Sequence, residues 1–158
     1  MTRIRQKWLT LTAVLGLAYW FFGNLYEAIV ISPNWVVDSG AQLTRLNGFF
    51  VNTDPTLFFV PLTLLATVLV WVLHLVNRDS ELRVHYRKAS LCALALTALN
   101  ILIVTTLITK LFGADYLSYE DELSTYAWRW NVLNVIRMLL TAATAFHLFG
   151  AFRKLDTP

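Results

Sequence analysis

Four long apolar stretches constrain the fold of this chain more than any other feature of its sequence. They run over about residues 8–32, 56–76, 89–112 and 130–152. As a helix, a stretch of about 20 residues crosses roughly 30 Å of hydrocarbon. Lipid offers no partner to backbone amides and carbonyls, so each stretch must be helical. The sequence therefore predicts an all-α integral membrane protein, a four-helix bundle that forms one transmembrane domain over residues 1–158.

The composition supports the same class. Hydrophobic residues make up 57% of the chain and aromatic residues 14%, which is more than soluble domains carry. The first stretch is longer than the apolar region of a cleaved signal peptide, so we expect it to be retained. Because the sequence has one cysteine, no disulfide can close within the chain.

Basic residues concentrate in three hydrophilic segments: the N-terminal segment, the loop between the second and third spans, and the C-terminal segment. These segments hold Arg3, Arg5, Lys7, Arg78, Arg83, Arg87, Lys88, Arg153 and Lys154. The two other loops are mainly acidic. Because basic loops stay in the cytoplasm, we expect both termini to be cytoplasmic and the protein to lie in the plasma (inner) membrane. The formal charge of +3 then reflects topology, and no nucleic-acid partner is expected.

The loops on the outer side show signs of local structure. Pro33 ends the first span, and residues 35–50 then space several apolar residues along one side: Val36, Leu43, Leu46 and Phe50. This spacing predicts a short helix at the membrane interface or a re-entrant cap. The fourth helix is expected to begin near Ser118, before it enters lipid. Three tryptophans are expected to form an outer aromatic belt: Trp35, Trp128 and Trp130.

Charged and amide side chains lie inside the first and last spans. Glu27 is about 8 Å from the outer end of the first span, and Arg137 about 10 Å from that of the fourth, at 1.5 Å of rise per residue. Asn24 precedes Glu27 by three residues, and Asn131, Asn134 and Arg137 follow one another at the same interval. Residues three apart share one side of a helix. The outer half of the bundle is therefore predicted to hold a polar site.

Two interpretations of this polar site remain open. In the third span, Thr105 and Thr106 reach a similar depth, and Asn100 lies nearer the midplane. Intramembrane Asn and Thr often only join helices, at about 0.6 kcal/mol per hydrogen bond, and an acid with a base can be a structural pair. A charge in hydrocarbon nevertheless costs several kcal/mol, which makes it a candidate functional residue by default.

Two other patterns in the sequence are weaker indications of a functional site. His74, Cys92 and His147 lie near the cytoplasmic ends of their helices, but each is isolated and lacks the paired spacing of a metal site. We therefore predict no metal ion or cofactor. Gly16 and Gly23 lie seven residues apart on one side of the first helix, which predicts the close approach of another helix.

Two segments around the polar residues carry a family resemblance. Gly23-Asn24-Leu25-Tyr26-Glu27, with Pro33 beyond it, and the segment from Trp130 to Arg137 resemble the marked segments of the anthrone-oxygenase-like family of small membrane proteins. The four-span layout agrees over nearly the whole chain. The chain differs from the family pattern at Asn134, where a His is expected. The resemblance implies a compact four-helix bundle, with some members linked to oxygenation of polycyclic aromatic substrates without metal or flavin.

An oxygenase without a cofactor needs a base and a group that stabilises the anion formed from its substrate. Glu27 is the candidate base, and Arg137 is the candidate stabiliser of the oxyanion. Three amides are candidates for orienting the substrate: Asn24, Asn131 and Asn134. Three aromatic rings are candidates for stacking on it: Trp20, Tyr26 and Trp130. The expected partner is a hydrophobic aromatic or lipid-like small molecule.

Two other functions are compatible with the same residues. A small transporter could use Glu27 as its proton-coupling site, although no pair of broken helices is visible in corresponding halves of the chain. A structural or accessory membrane subunit could instead use the acidic, aromatic outer loops to hold a partner protein.

Overall fold

A computed structural model describes residues 1–156, with the exception of the Thr56 side chain, and contains no strand within that range. This part of the chain forms seven α-helices: α1 (Arg3–Tyr26), α2 (Pro33–Val36), α3 (Ser39–Phe49), α4 (Pro55–Val76), α5 (Ser80–Ile103), α6 (Thr109–Leu111) and α7 (Leu123–Asp156). A π-helical turn, Glu27–Ile31, continues α1, and a second, Val104–Ile108, joins α5 to α6. A 3₁₀ segment, Tyr116–Glu122, leads into α7.

Among the residues that the structure describes, four helical segments are long and apolar enough to cross a membrane: Arg3–Ile31, Leu57–Val76, Ser80–Leu111 and Tyr116–Asp156. The all-helical class and the four apolar helices predicted from the sequence are therefore confirmed. Three of the segments extend well beyond the predicted spans. The third starts nine residues earlier than predicted, at Ser80 rather than near residue 89, because Asp79 caps it by accepting a hydrogen bond from the Glu81 amide at 2.8 Å and so satisfies a free backbone donor.

The four long helices pack side by side. Helices α1 and α5 both contact α7, and both also contact α4. Lys7 forms an ion pair with Asp156, and the Gln6 amide donates to Asn77 Oδ1 at 3.0 Å. These contacts bring both termini and the turn between α4 and α5 to one end of the molecule, which we call the terminal end. The opposite end, formed by residues 32–54 and 112–122, is the capped end.

Small residues let α1 and α4 approach closely. A Cβ atom added to Gly16 would lie 2.9 Å from the Ala66 Cβ, and one added to Gly23 would lie 2.7 Å from the Phe59 ring. Contacts this short are not tolerated between packed atoms, so the two helices could not sit at this distance with larger residues. The two glycines therefore serve packing, as their spacing predicts.

The short helices α2 and α3 fold back over the start of α7. Trp35 and Leu43 are fully buried there, and the Trp35 ring meets the Trp130 ring edge to face, with 5.2 Å between centroids. The predicted aromatic belt is therefore wrong for Trp35 and Trp130, which form the apolar core of the cap instead of facing an interface. The Trp128 side chain is 62% exposed, as a belt residue would be.

The last helix begins close to the predicted start, but its first turns are not α-helical. Helical structure begins at Tyr116, but it is 3₁₀ and is kinked at Tyr119, and regular α-helix begins only at Leu123. The Ser118 hydroxyl donates to the Asp115 carbonyl at 2.7 Å. The residue at the N-cap position of the 3₁₀ segment is Asp115, whose side chain makes no capping hydrogen bond.

Candidate functional site

The guanidinium of Arg137 lies at the centre of a buried cluster between α1, α5 and α7. Its Nε and Nη2 atoms donate to Asn134 Oδ1, at 3.0 and 2.6 Å. Nη2 also donates to Asn24 Oδ1, and Nη1 donates to Asn100 Oδ1 at 3.3 Å. We call these four residues the Arg137 cluster. One cation thereby joins three helices through charge-assisted hydrogen bonds, which are stronger than neutral ones.

One of the N–H groups of Arg137 is not used by the hydrogen bonds within residues 1–156. A guanidinium carries five N–H groups, and the four bonds above engage Nε, both positions on Nη2 and one on Nη1. The guanidinium lies over the Trp130 ring, with 5.7 Å from Cζ to the ring centroid, a distance at which a ring attracts a cation. The second Nη1 position is therefore the place where Arg137 can donate to another group.

The Glu27 carboxylate is not paired with Arg137. Within residues 1–156, no Arg137 nitrogen lies within 4.0 Å of the Glu27 carboxylate, and this carboxylate has no hydrogen-bonding partner. The side chain is half-buried, and the two charges still attract each other at longer range. The acid and the base predicted from the sequence are thus near each other but held apart. Asn side chains take the positions that a carboxylate would occupy in an ion pair.

The backbone changes its pitch at Glu27. The Ser32 amide donates to the Glu27 carbonyl at 2.7 Å, which is the i to i−5 bond of a π-helical turn. Such turns are rare and occur frequently at functional sites. The wider turn brings Ser32 onto α7, where its hydroxyl donates to Asn131 Oδ1 at 2.6 Å. Helix α1 is therefore anchored to α7 on both sides of Glu27, at Asn24 and at Ser32.

The other predicted site residues divide into two groups. Asn24, Asn134 and Trp130 contact the guanidinium as described, whereas Asn131 bonds Ser32. Trp20 is buried one turn below Asn24 and accepts a hydrogen bond from it, Nδ2 to the Trp20 carbonyl at 2.7 Å. The Tyr26 ring is 59% exposed on the outside of α1, so it does not line the cluster. Its assignment as a stacking residue has no contact to support it.

The third long helix contributes a different residue from the ones its depth suggests. Thr105 and Thr106 are exposed, and their hydroxyls donate to backbone carbonyls within their own helix. Asn100, one turn deeper, makes the contact with Arg137 instead. The sequence analysis placed Asn100 nearer the midplane, from the depth of its backbone, and did not assign it to the site. The signal that was missed is the length of the arginine side chain, which spans about one helical turn.

These contacts test neither the family resemblance nor the prediction that no metal ion is bound. Within residues 1–156, no three His, Cys, Asp or Glu side chains are grouped so that they could hold a metal ion. Comparisons with family models, curated proteins and solved structures found no match for this chain. The site is therefore interpreted from its own geometry: considering residues 1–156, a carboxylate without a partner lies beside an anchored guanidinium with one free donor.

Proposed function

We propose that this chain is an integral membrane four-helix bundle that binds a hydrophobic aromatic or lipid-like small molecule between Glu27 and Arg137. The observation that carries the proposal is the separation of these two charges. A purely structural pair gains most when its members touch, because only direct contact offsets the loss of their hydration. Here Arg137 is held by three amides and the Glu27 carboxylate is left available.

The proposed orientation places both termini in the cytoplasm and the protein in the plasma (inner) membrane. The basic segments support it, since they all belong to the terminal end and positive loops remain cytoplasmic. Glu27 and the Arg137 cluster would then lie in the outer half of the membrane, beneath the cap. A ligand would reach them from the outer leaflet.

The chemistry proposed for the site is proton abstraction followed by oxygenation without a cofactor. Glu27 would remove a proton from an activated CH₂ group, and the Nη1 donor of Arg137 would stabilise the enolate oxygen that results. Addition of O₂ to the carbanion and return of the proton give a hydroperoxide. Loss of water then leaves a ketone, so that CH₂ and O₂ become C=O and H₂O. The resemblance to the anthrone-oxygenase-like family supports this choice of reaction.

Anthrone is a suitable probe, and oxygen uptake and binding can be measured separately. With purified protein in detergent, we expect anthrone to raise the midpoint of thermal unfolding and to be consumed with O₂. Glu27→Gln should keep the thermal shift but reduce oxygen uptake by about 10²-fold or more, the contribution of a general base. Arg137→Gln should lose both.

A matched control variant is Glu120→Gln, which removes one carboxylate from an exposed position at the capped end. It should behave as the wild type in both measurements. Equal oxygen uptake by wild type and Glu27→Gln would reject the reaction. An unchanged thermal shift in Arg137→Gln, or no shift in the wild type together with no hydrophobic compound in an organic extract of the purified protein, would reject the binding site.

A further inference from the structure

A groove on the outside of the molecule, separate from the Arg137 cluster, has the composition of a lipid site. It lies between α7 and the segment from α5 to α6, and its volume is about 530 Å³, within the range of ligand sites. Its walls are mainly apolar, and its cations are Lys110 and Arg129. We propose that this groove binds one anionic phospholipid, with its phosphate at Arg129 and Lys110 and an acyl chain along the apolar wall.

The charges at the groove favour a single negative headgroup. Lys110 Nζ donates to the Tyr126 hydroxyl at 2.9 Å, and that hydroxyl in turn donates to the Glu122 carboxylate. Glu122 therefore offsets much of the Lys110 charge. Arg129 is exposed, and its side chain has no hydrogen bond or ion pair with any residue between 1 and 156. Lys110, Arg129 and Glu122 together carry a net charge of about +1, which one phosphodiester would neutralise.

The apolar wall has the exposure expected of a lipid contact. Val132 is 57% exposed and Leu102 is 48% exposed, and both face the groove together with Leu133. Trp128 lines the end where the cations lie, and tryptophans at such positions anchor a protein at the level of lipid headgroups. Charge at one end and hydrocarbon along the rest is the pattern of a phospholipid rather than of a soluble anion.

Lys110 is also held in place before a lipid arrives. Its ammonium lies 4.5 Å from the Tyr126 ring centroid and 5.2 Å from that of Tyr119, which positions a flexible side chain through cation–π attraction. Two of its three N–H groups are left for a ligand, since one is donated to Tyr126. Neither Glu27 nor Arg137 lines the groove, so the test of lipid binding is independent of the proposed function.

Native mass spectrometry in detergent tests the groove with two lipids of identical acyl chains, phosphatidylglycerol and phosphatidylcholine, at equal concentration. We expect one phosphatidylglycerol adduct to dominate. Arg129→Gln should weaken it about fivefold, the effect of one basic residue near a membrane surface. Arg45→Gln is the matched control: it removes an exposed arginine at the same end but outside this groove, and it should leave the adduct unchanged.

A second variant tests the apolar wall. Val132→Trp fills the groove from an exposed position and should reduce the adducts of both lipids. Its midpoint of thermal unfolding should equal that of the wild type. Equal binding of both lipids by the wild type, or equal loss in Arg129→Gln and Arg45→Gln, would overturn the proposal. Displacement of the lipid by the same concentration of glycerol 1-phosphate would also overturn it, because the headgroup alone would then be the ligand.

Discussion

At the level of single residues, Arg137 shows how a chain can bury a cation without an ion pair. Three amide oxygens from three helices replace the carboxylate, and each is neutral, so the positive charge is solvated but not cancelled. An arginine is suited to this role because its planar fork can reach several acceptors in fixed directions, which a lysine cannot. The charge therefore remains available to act on a ligand or on Glu27.

Asn134 should matter more to stability than Asn131, although both are amides on the same side of α7. Asn134→Ala removes the acceptor of both Nε and Nη2 of Arg137, and we expect it to lower the free energy of unfolding by about 2 kcal/mol, since bonds to charged groups are the strong ones. Asn131→Ala removes one neutral bond to Ser32, worth about 0.6 kcal/mol in a membrane. Unfolding by SDS titration measures both.

Asn131→Ala also serves as the control for loss of an amide in α7. Equal effects of the two substitutions would contradict the role of Asn134 in the Arg137 cluster.

Sequence reasoning placed Asn24, Asn134 and Arg137 together correctly, because a three-residue interval fixes the side of a helix. It could not assign Asn100, because a long side chain reaches beyond the depth of its own backbone.

At the level of helices, the two π-helical turns are the features that the sequence did not predict. Each inserts one extra residue into a turn, and no residue type or spacing marks where this happens in Glu27–Ile31 or in Val104–Ile108. Their effect is large, since every residue after the turn changes its facing direction. Ser32 meets Asn131 only because of this change. By contrast, the four apolar helices were predictable, since their length follows from hydrocarbon thickness.

Gly16 offers a test of how closely α1 and α4 must pack. In most helices Gly→Ala stabilises, by about 0.5–1 kcal/mol. At Gly16 the new Cβ would lie 2.9 Å from the Ala66 Cβ, so the helices must separate, and we expect Gly16→Ala to destabilise by about 1 kcal/mol or more. The same detergent unfolding measurement applies.

Two variants control for this result. Gly48→Ala makes the same change in α3 where nothing lies within 4 Å of the new atom, and it should be neutral or stabilising. Gly16→Ala combined with Ala66→Gly moves the methyl group from one helix to the other and should restore most of the lost stability. A destabilised Gly48→Ala, or a double variant no better than Gly16→Ala, would count against close packing as the reason for Gly16.

At the level of the whole molecule, charge and architecture agree with each other. The contacts between the N-terminal segment, the α4–α5 turn and the C-terminal segment gather the basic segments at the terminal end. The acidic 3₁₀ segment and the cap lie at the other end. The difference between the two ends was predictable, because loops joining antiparallel spans must alternate. The cap was predictable only as a short helix, since its burial depends on the shape of the surface beneath it.

This division of charge makes the orientation testable with two matched cysteine variants. Ser80 and Ser118 are both exposed, at the terminal and capped ends, and Ser→Cys is nearly isosteric at each. In a Cys92→Ala background, which removes the single native cysteine, a membrane-impermeant maleimide is added to intact cells. The positive-inside rule predicts that the Ser118→Cys variant reacts at once, whereas the Ser80→Cys variant reacts only after lysis. The reverse pattern would invert the protein and place Glu27 and Arg137 in the inner leaflet. Reaction of both before lysis would show that the four helices do not all cross the membrane, and a ligand path from the outer leaflet would then have no basis.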